Sequence, residues 1–204
     1  MPWKGSVPAG ERLRELKKIE LVKAACGYFT KSGYHGTSLA DVANALGLTK
    51  SAIYYYFPDK RSLLFDCSKW AHTSLLSLSE GDAPDPLGKL RRLSREYVRF
   101  IAENELGFIM FVDLGLLERR QRSDIIRLRD LFERRIRNLL DEAARSGAVR
   151  PVSTKTASLL LLGALNWIPR WYRSDGEHEA DAFAEDFFDI LLEGLRLRRP
   201  SSAV

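Results

Sequence analysis

Gly47 separates two short helical patterns, and this break constrains the fold more than any other feature of the chain. Before it, Leu39, Val42, Ala43 and Leu46 recur at the three- and four-residue spacing of one helical face. Thr37 or Ser38 can cap the start of that helix, and Gly47 supplies the left-handed backbone that ends it without a Cβ penalty. Leu48 then turns inward and Thr49 caps a second helix, on which Ile53 and Phe57 face the same core. Helices joined by so short a glycine turn cross steeply, Ala43 is small enough for close approach, and the second helix is left projecting. Its start offers Lys50, Ser51 and Ala52: two short side chains that let the backbone approach base edges, and one long donor suited to guanine. The pattern predicts a helix-turn-helix that reads a DNA major groove.

Tyr54, Tyr55 and Tyr56 follow at about 100° intervals around that helix, so they cannot share one task. Tyr54 lies one turn beyond Lys50 and Ser51 on the reading face. Tyr55 and Tyr56 can offer phenolic hydroxyls to phosphate oxygens, and Lys60, past Pro58, can add a cation there. Charge supports the same division. Residues 1–65 hold 10 Lys or Arg against 5 Asp or Glu, which accounts for the whole net charge of +5, while the other 22 basic and 22 acidic residues cancel. A basic third beside a neutral remainder implies that one part meets a polyanion and the rest has another task.

The stretch GTSLADVANALGLTKSAIYYYFPDKRSLL resembles the DNA-binding domain of the TetR family of bacterial transcriptional repressors. The likeness extends back through KKIELVKAACGYFTKSGYHG, where Ile19, Val22, Cys26 and Phe29 give the first helix its apolar stripe. It implies DNA contacts near Thr37 and Ser38, then through Thr49, Lys50, Ser51, Ala52, Tyr54, Tyr55, Tyr56 and Lys60. Ala40 stands where many members carry a longer polar or basic side chain, so base reading should rest on Lys50 to Tyr54.

Beyond Lys60 the chain stays helical by pattern, with breaks at SEGDAPDPLG, SGAVRPVS and YRSDGEHEA. A helix from Arg61 to about Ser79 should link the head to a body built from segments 86–104, 106–118, 122–146, 153–173 and 178–197. The expected fold is all-α with about nine helices. Residues 1–10 form a flexible arm, 11–65 a three-helix DNA-binding domain, and 66–204 a helical ligand-binding and dimerisation domain. On the last two helices Leu160, Ala164, Trp167 and Trp171 stack along one face, and Phe183, Phe187, Ile190, Leu191 and Leu195 stripe the other. In the resembling family the final two helices of each subunit form a four-helix interface with their twins, and Gly163, Ala164 and Gly194 would permit close approach. A homodimer also suits the chemistry, since two recognition helices about one DNA turn apart read a palindrome.

Phe100, Phe108, Met110, Phe111, Leu114, Trp167 and Arg170 are candidates for lining an effector pocket. The segments GLLERRQRSDIIRLRDLFERRIRNLLDEAARSGAVRP and GALNWIPRWYRSDG are similar to the branch of the family that answers to acyl-CoA thioesters. Arg119, Arg120, Arg122, Arg127 and Arg170 can supply cations for a phosphate-bearing ligand. Arg129 and Arg134 have Glu133 and Asp130 at helical spacing and read as a surface network. Pro169 would free the carbonyl of Leu165 and kink the helix beside Trp167.

Nucleophile elbows, phosphate-cradling glycine loops and metal-ligand spacings are absent, so neither an enzyme nor a metal or cofactor is expected. His35, His72 and His178 lie far apart in sequence, and the carboxylates of EHEAD at 177–181 suit the positive start of the last helix. Cys26 and Cys67 read as free thiols. No run approaches about 18 apolar residues and the opening MPWKGSVPAG lacks a secretory segment, which predicts a cytoplasmic protein without a membrane partner. The expected partners are a double-stranded DNA operator, a second copy of the chain and a small hydrophobic effector of acyl-CoA type. The alternative is a helical adaptor, or a nonspecific DNA-binding protein without an effector.

Overall fold

The architecture, taken from a computed structural model, is described for residues 9–79, 83–168 and 180–195, and every regular element among them is helical. The helices are α1 (Ala9–Gly36), α2 (Leu39–Ala45), α3 (Lys50–Tyr56), α4 (Lys60–Leu76), α5 (Pro86–Glu103), α6 (Gly107–Met110), α7 (Arg119–Arg145), α8 (Thr154–Trp167) and α9 (Ala180–Leu195). A 3-10 turn at Leu114–Leu116 connects α6 to α7. The all-α expectation and the number of helices hold. No described helix is long and apolar enough to cross a membrane.

Side-chain oxygens set many of the helix starts, because the first amides of a helix have no partner within it. Ser38 caps α2 in a reciprocal box with Asp41, and its hydrogen bonds hold the Asp41 carboxyl below the usual carboxylate range. Thr49, Asp59, Asp85 and Ser153 cap α3, α4, α5 and α8. The end of α2 is closed by Gly47 at φ +65, with Gly47 N–H donating to Asn44 O at 3.1 Å and Leu48 N–H to Ala43 O at 2.9 Å. That closure draws Leu48 back against the core.

The head core consists of Val22, Ala25, Cys26 and Phe29 of α1, Leu39, Val42 and Ala43 of α2, and Ile53 and Phe57 around α3. Two residues expected there are at the surface instead. Ile19 and Leu46 are each 37% exposed. Leu46 sits at the helix end, where the chain reversal gives its place to Leu48, and Ile19 stays outside the buried stripe of α1, which runs through Val22, Ala25, Cys26 and Phe29.

α4 continues without a break across residue 65, with Leu63 and Leu64 followed by Cys67, Ala71, His72 and Leu75 on its buried side. It packs on α1 and on α7, and α6 packs on both α1 and α4. In the body, α5 lies against α7 and α9, and α7 against α8. A second junction between head and body forms where Phe29 stacks on Phe108 at 6.1 Å and the Thr30 hydroxyl donates to the carbonyl of Glu105. The expected linking helix ends at Leu76 rather than about Ser79, and α1 begins at Ala9, inside the segment expected to be a loose arm. Residues 1–8 lie outside the described residues.

Candidate nucleic-acid interface and effector cavity

Burial of Ile53 and Phe57 fixes the rotation of α3, and Thr49 Oγ1, accepting from Ala52 N–H at 3.2 Å, fixes its start. With those anchors set, Lys50, Ser51, Tyr54 and Tyr55 must face outward. Tyr54 is 45% and Tyr55 65% exposed, large values for aromatic side chains. The Lys50 ammonium lies 5.9 Å from the Tyr54 ring centre, so cation and phenol share one exposed face. Tyr56 is half-buried against the core and meets Tyr55 edge-on at 5.1 Å. The Thr49 hydroxyl also lies 3.1 Å from Ser51 Oγ, and Ala52 is half-buried beneath them.

Two of the expected contact residues are engaged within the protein. The Thr37 side chain is buried, its hydroxyl donating to Gly33 O at 2.8 Å, so it locks α1 to α2 and is turned away from solvent. Lys60 donates its Nζ to Tyr34 O at 2.6 Å and lies 4.3 Å over the Tyr34 ring, which ties the start of α4 to the segment after the Gly33 kink. Ser38 is exposed, although Asp41 already occupies its hydroxyl. One cation missed by the sequence reading joins this face: the Arg14 guanidinium sits 5.0 Å over the Tyr55 ring. The unbroken helical period of ERLRELKKIE, running back from the head core, was the available signal.

A cavity of about 510 Å³ opens between α4, the α6 turn, α7 and α8. Of the candidates for an effector pocket, Met110 and Phe111 line it, while Phe100, Phe108, Leu114 and Trp167 do not. Phe108 is committed to Phe29, Phe100 packs on Trp70 at 5.7 Å, and Leu114 holds the 3-10 turn, where its carbonyl accepts from Arg122. Trp167 is 52% exposed and touches Phe111 edge-on at 5.6 Å. Arg170 and Pro169 lie outside the described residues. Arg119, Arg120 and Arg127 are exposed and do not border the cavity.

The polar wall of the cavity comes from residues that sequence reading assigned elsewhere or passed over. Arg129 points inward: its Nε donates to His72 Nε2 at 3.1 Å and its Nη2 to Met110 O at 3.4 Å. His72 Nδ1 lies 2.7 Å from Ser68 O, which places its proton on Nδ1 and leaves Nε2 as the acceptor for Arg129. Burial lowers the His72 pKa to about 4, the Ser68 carbonyl partly opposing and Arg129 assisting, so the ring is neutral. Tyr97 is buried and donates its hydroxyl to Asn166 Oδ1, and that burial raises its pKa. The surface network expected for Arg129 does not form. Its helical neighbour Glu133 is buried and accepts from Ser158 Oγ at 2.5 Å, with Lys155 at 3.2 Å and Arg137 at 3.8 Å. Burial raises the Glu133 carboxyl, but Ser158, Lys155 and Arg137 together bring it below its ordinary value. Arg134 donates to the backbone carbonyl of Asp130, not to its carboxylate.

The last two helices are apolar on both sides. Inward they bury Ala157, Leu161 and Leu165, and Ala184, Phe188 and Leu192. Outward, Leu160 is 59% and Ile190 70% exposed, Trp167 is exposed as well, and Ala164, Phe187 and Leu191 are half-buried. A Cβ added at Gly163 or Gly194 would meet open space. Trp171 lies outside the described residues, as does the side chain of Phe183. Cys26 and Cys67 are buried and free, and among the described residues no cluster of His, Cys, Asp or Glu could hold a metal.

Residues 21–67 match the family described as bacterial regulatory proteins, tetR family, and residues 83–195 match the family described as tetracyclin repressor-like, C-terminal domain. A TetR family transcriptional regulator from Thermus thermophilus, PfmR, has 33% sequence identity and a TM-score of 0.79, covering 88% of this chain and 99% of its own. AibR, solved in complex with isovaleryl coenzyme A and operator DNA, shares the fold at a TM-score of 0.76 and 22% identity, over 86% of this chain and 97% of its own. The fatty acid metabolism regulator protein of Bacillus subtilis is 18% identical over 185 residues, 88% of this chain and 95% of its own.

Proposed function

This chain belongs to the TetR family of bacterial regulatory proteins, a family of transcriptional regulators rather than enzymes, and we propose that it represses transcription as a dimer on a palindromic operator. The observation that carries the reading is the exposed row Lys50, Ser51 and Tyr54 on a helix whose opposite face is locked into the core. Lys50 to Tyr54 read base edges, while Tyr55, Tyr56 and Arg14 engage phosphates. Residues 11–65 act as the reading head and 66–204 as the sensing and pairing body, a division of task, because α4 crosses it unbroken. A protein whose partner is chromosomal DNA works in the cytoplasm.

Pairing through the outer faces of α8 and α9 is supported by Leu160, Trp167 and Ile190, since large apolar side chains exposed on a second side of a helix call for another surface to cover them. Such a dimer has the twofold symmetry a palindrome requires. The cavity supports release by a small hydrophobic or acyl-CoA-like effector: it has the volume of a small-molecule site and mostly apolar walls, and isovaleryl coenzyme A in AibR points to the same ligand class. An effector that prefers the dimer geometry with wrongly spaced heads by about 1–3 kcal/mol changes occupancy several-fold or more.

The test is selection of bound fragments from a genomic or random DNA pool at near-physiological salt, then titration of the recovered site with long-chain acyl-CoA. A palindrome released by acyl-CoA is expected. A palindrome indifferent to it would keep the regulator and remove this effector, and no enriched sequence would favour a nonspecific binder or adaptor.

A further inference from the structure

Arg129 brings to the cavity a guanidinium that is only partly hydrogen-bonded among the described residues. Its guanidinium has five N–H donors; one goes to His72 and one to Met110 O, and no carboxylate of a described residue lies within salt-bridge distance. The guanidinium stays charged in proteins, and a charge beside apolar walls is costly until it is paired. The carboxylate one helical turn away, Glu133, is already held by Ser158, Lys155 and Arg137. Asp130 borders the same cavity but is exposed to solvent. The neutral His72, braced by Ser68 O, fixes the orientation of the fork without cancelling its charge. A second donor stands nearby, because the Tyr97 hydroxyl occupies Asn166 Oδ1 and leaves the Asn166 amide hydrogens for a ligand.

We infer that the effector is an apolar molecule with a free carboxylate, which the Arg129 guanidinium receives through its remaining N–H groups while Leu75, Met110, Phe132 and Leu162 take the apolar body. The inference rests on the reading of this cavity as the effector site and narrows its ligand class. A planar carboxylate matches the guanidinium fork in shape and charge, whereas the carbonyl of a thioester is a neutral acceptor and gains less from it.

Calorimetric titration of the purified full-length chain with decanoate, decanol and decanoyl-CoA separates the cases. Decanoate is expected to bind at least about tenfold more tightly than decanol, the size of one charge-assisted hydrogen bond. Arg129→Gln should abolish that preference while leaving decanol binding in place, and Arg129→Lys should restore part of it, with melting curves confirming that each variant folds. Decanol binding as tightly as decanoate in the unaltered protein overturns the carboxylate, and this comparison needs no variant. Decanoyl-CoA binding more tightly than decanoate in the unaltered protein also overturns it, while the cavity and the acyl-CoA reading survive. Binding of no probe, or binding that Leu162→Trp in the cavity wall does not affect, overturns the cavity as effector site and the carboxylate with it.

Discussion

Lys50 and Arg14 both carry positive charge to the outer side of the head, but their settings give them different work. Lys50 stands on the projecting helix beside Tyr54, whereas Arg14 reaches the same face from α1 and lies over Tyr55. Lys50→Ala should therefore relax base preference and cost about 1–3 kcal/mol on the preferred site, while Arg14→Ala should weaken all sequences alike and lower the salt slope by about one. Affinity measured across salt on matched and mismatched duplexes distinguishes them, and equal losses in both would undo the division. His72 gives a prediction with a definite sign. Burial depresses its pKa from 6.5 to about 4, so the unfolded chain takes the proton first; the stability it contributes is present above pH 6.5 and lost as pH falls toward 4. The loss is of order 3 kcal/mol, and denaturant unfolding across that range should show it flattened in His72→Gln. At this scale the sequence disclosed what is local. Thr49, Ile53 and Phe57 take their roles from neighbours within one or two turns. The Lys60 bond to the Tyr34 carbonyl was not legible because the two lie 26 residues apart, and Arg129 was misread because Glu133 is claimed by Ser158 and Lys155 of another helix.

Helix starts were legible to within a residue where a side chain caps them, as at α4, α5 and α8, and the glycine closure marked the end of α2. They failed where a local turn competes with the helix. The segment 106–118, expected as one helix, divides into α6 and a 3-10 turn, with Asp113 Oδ1 accepting from Gly115 N–H at 2.7 Å. Amphipathic period also could not tell which side of α8 and α9 faces the chain's own core, because both sides are apolar. The structure assigns Leu161, Leu165, Phe188 and Leu192 to the interior and leaves Leu160 and Ile190 outside. A charge placed outside should then break pairing without harming the fold. Leu160→Glu or Ile190→Glu is expected to give a monomer by light scattering with unchanged helical content, and weaker binding to a palindrome than to its half-site would predict. A variant that remains dimeric places the interface on another surface.

At the scale of the whole molecule, the cavity and the head are joined through shared elements rather than through a linker. His72 and Leu75 on the cavity wall belong to α4, the helix that also packs on α1 of the head. Met110 and Phe111 continue from α6, whose Phe108 stacks on Phe29 of α1. A ligand that pushes on Met110 or draws Arg129 away from His72 thus acts on both supports of the head at once. Because packed interfaces hold discrete arrangements and resist smooth deformation, the expected response is a change in the angle of the head, which alters the spacing of the two recognition helices in a dimer. Sequence patterns could not show this coupling, since it depends on contacts such as Phe29 with Phe108 and Arg129 with His72 that link distant segments. The native thiols make it measurable: Cys26 and Cys67 are fully buried, and burial pushes the Cys67 thiol well above its ordinary range, so a spin label attaches selectively at an exposed Ser32→Cys. The distance between the two labels of a dimer should shift when decanoate or decanoyl-CoA binds, alongside a fall in operator affinity of about 5–150-fold. Release of DNA with an unchanged distance would move the coupling from geometry to chain order, and a shifted distance with unchanged affinity would detach this cavity from regulation altogether.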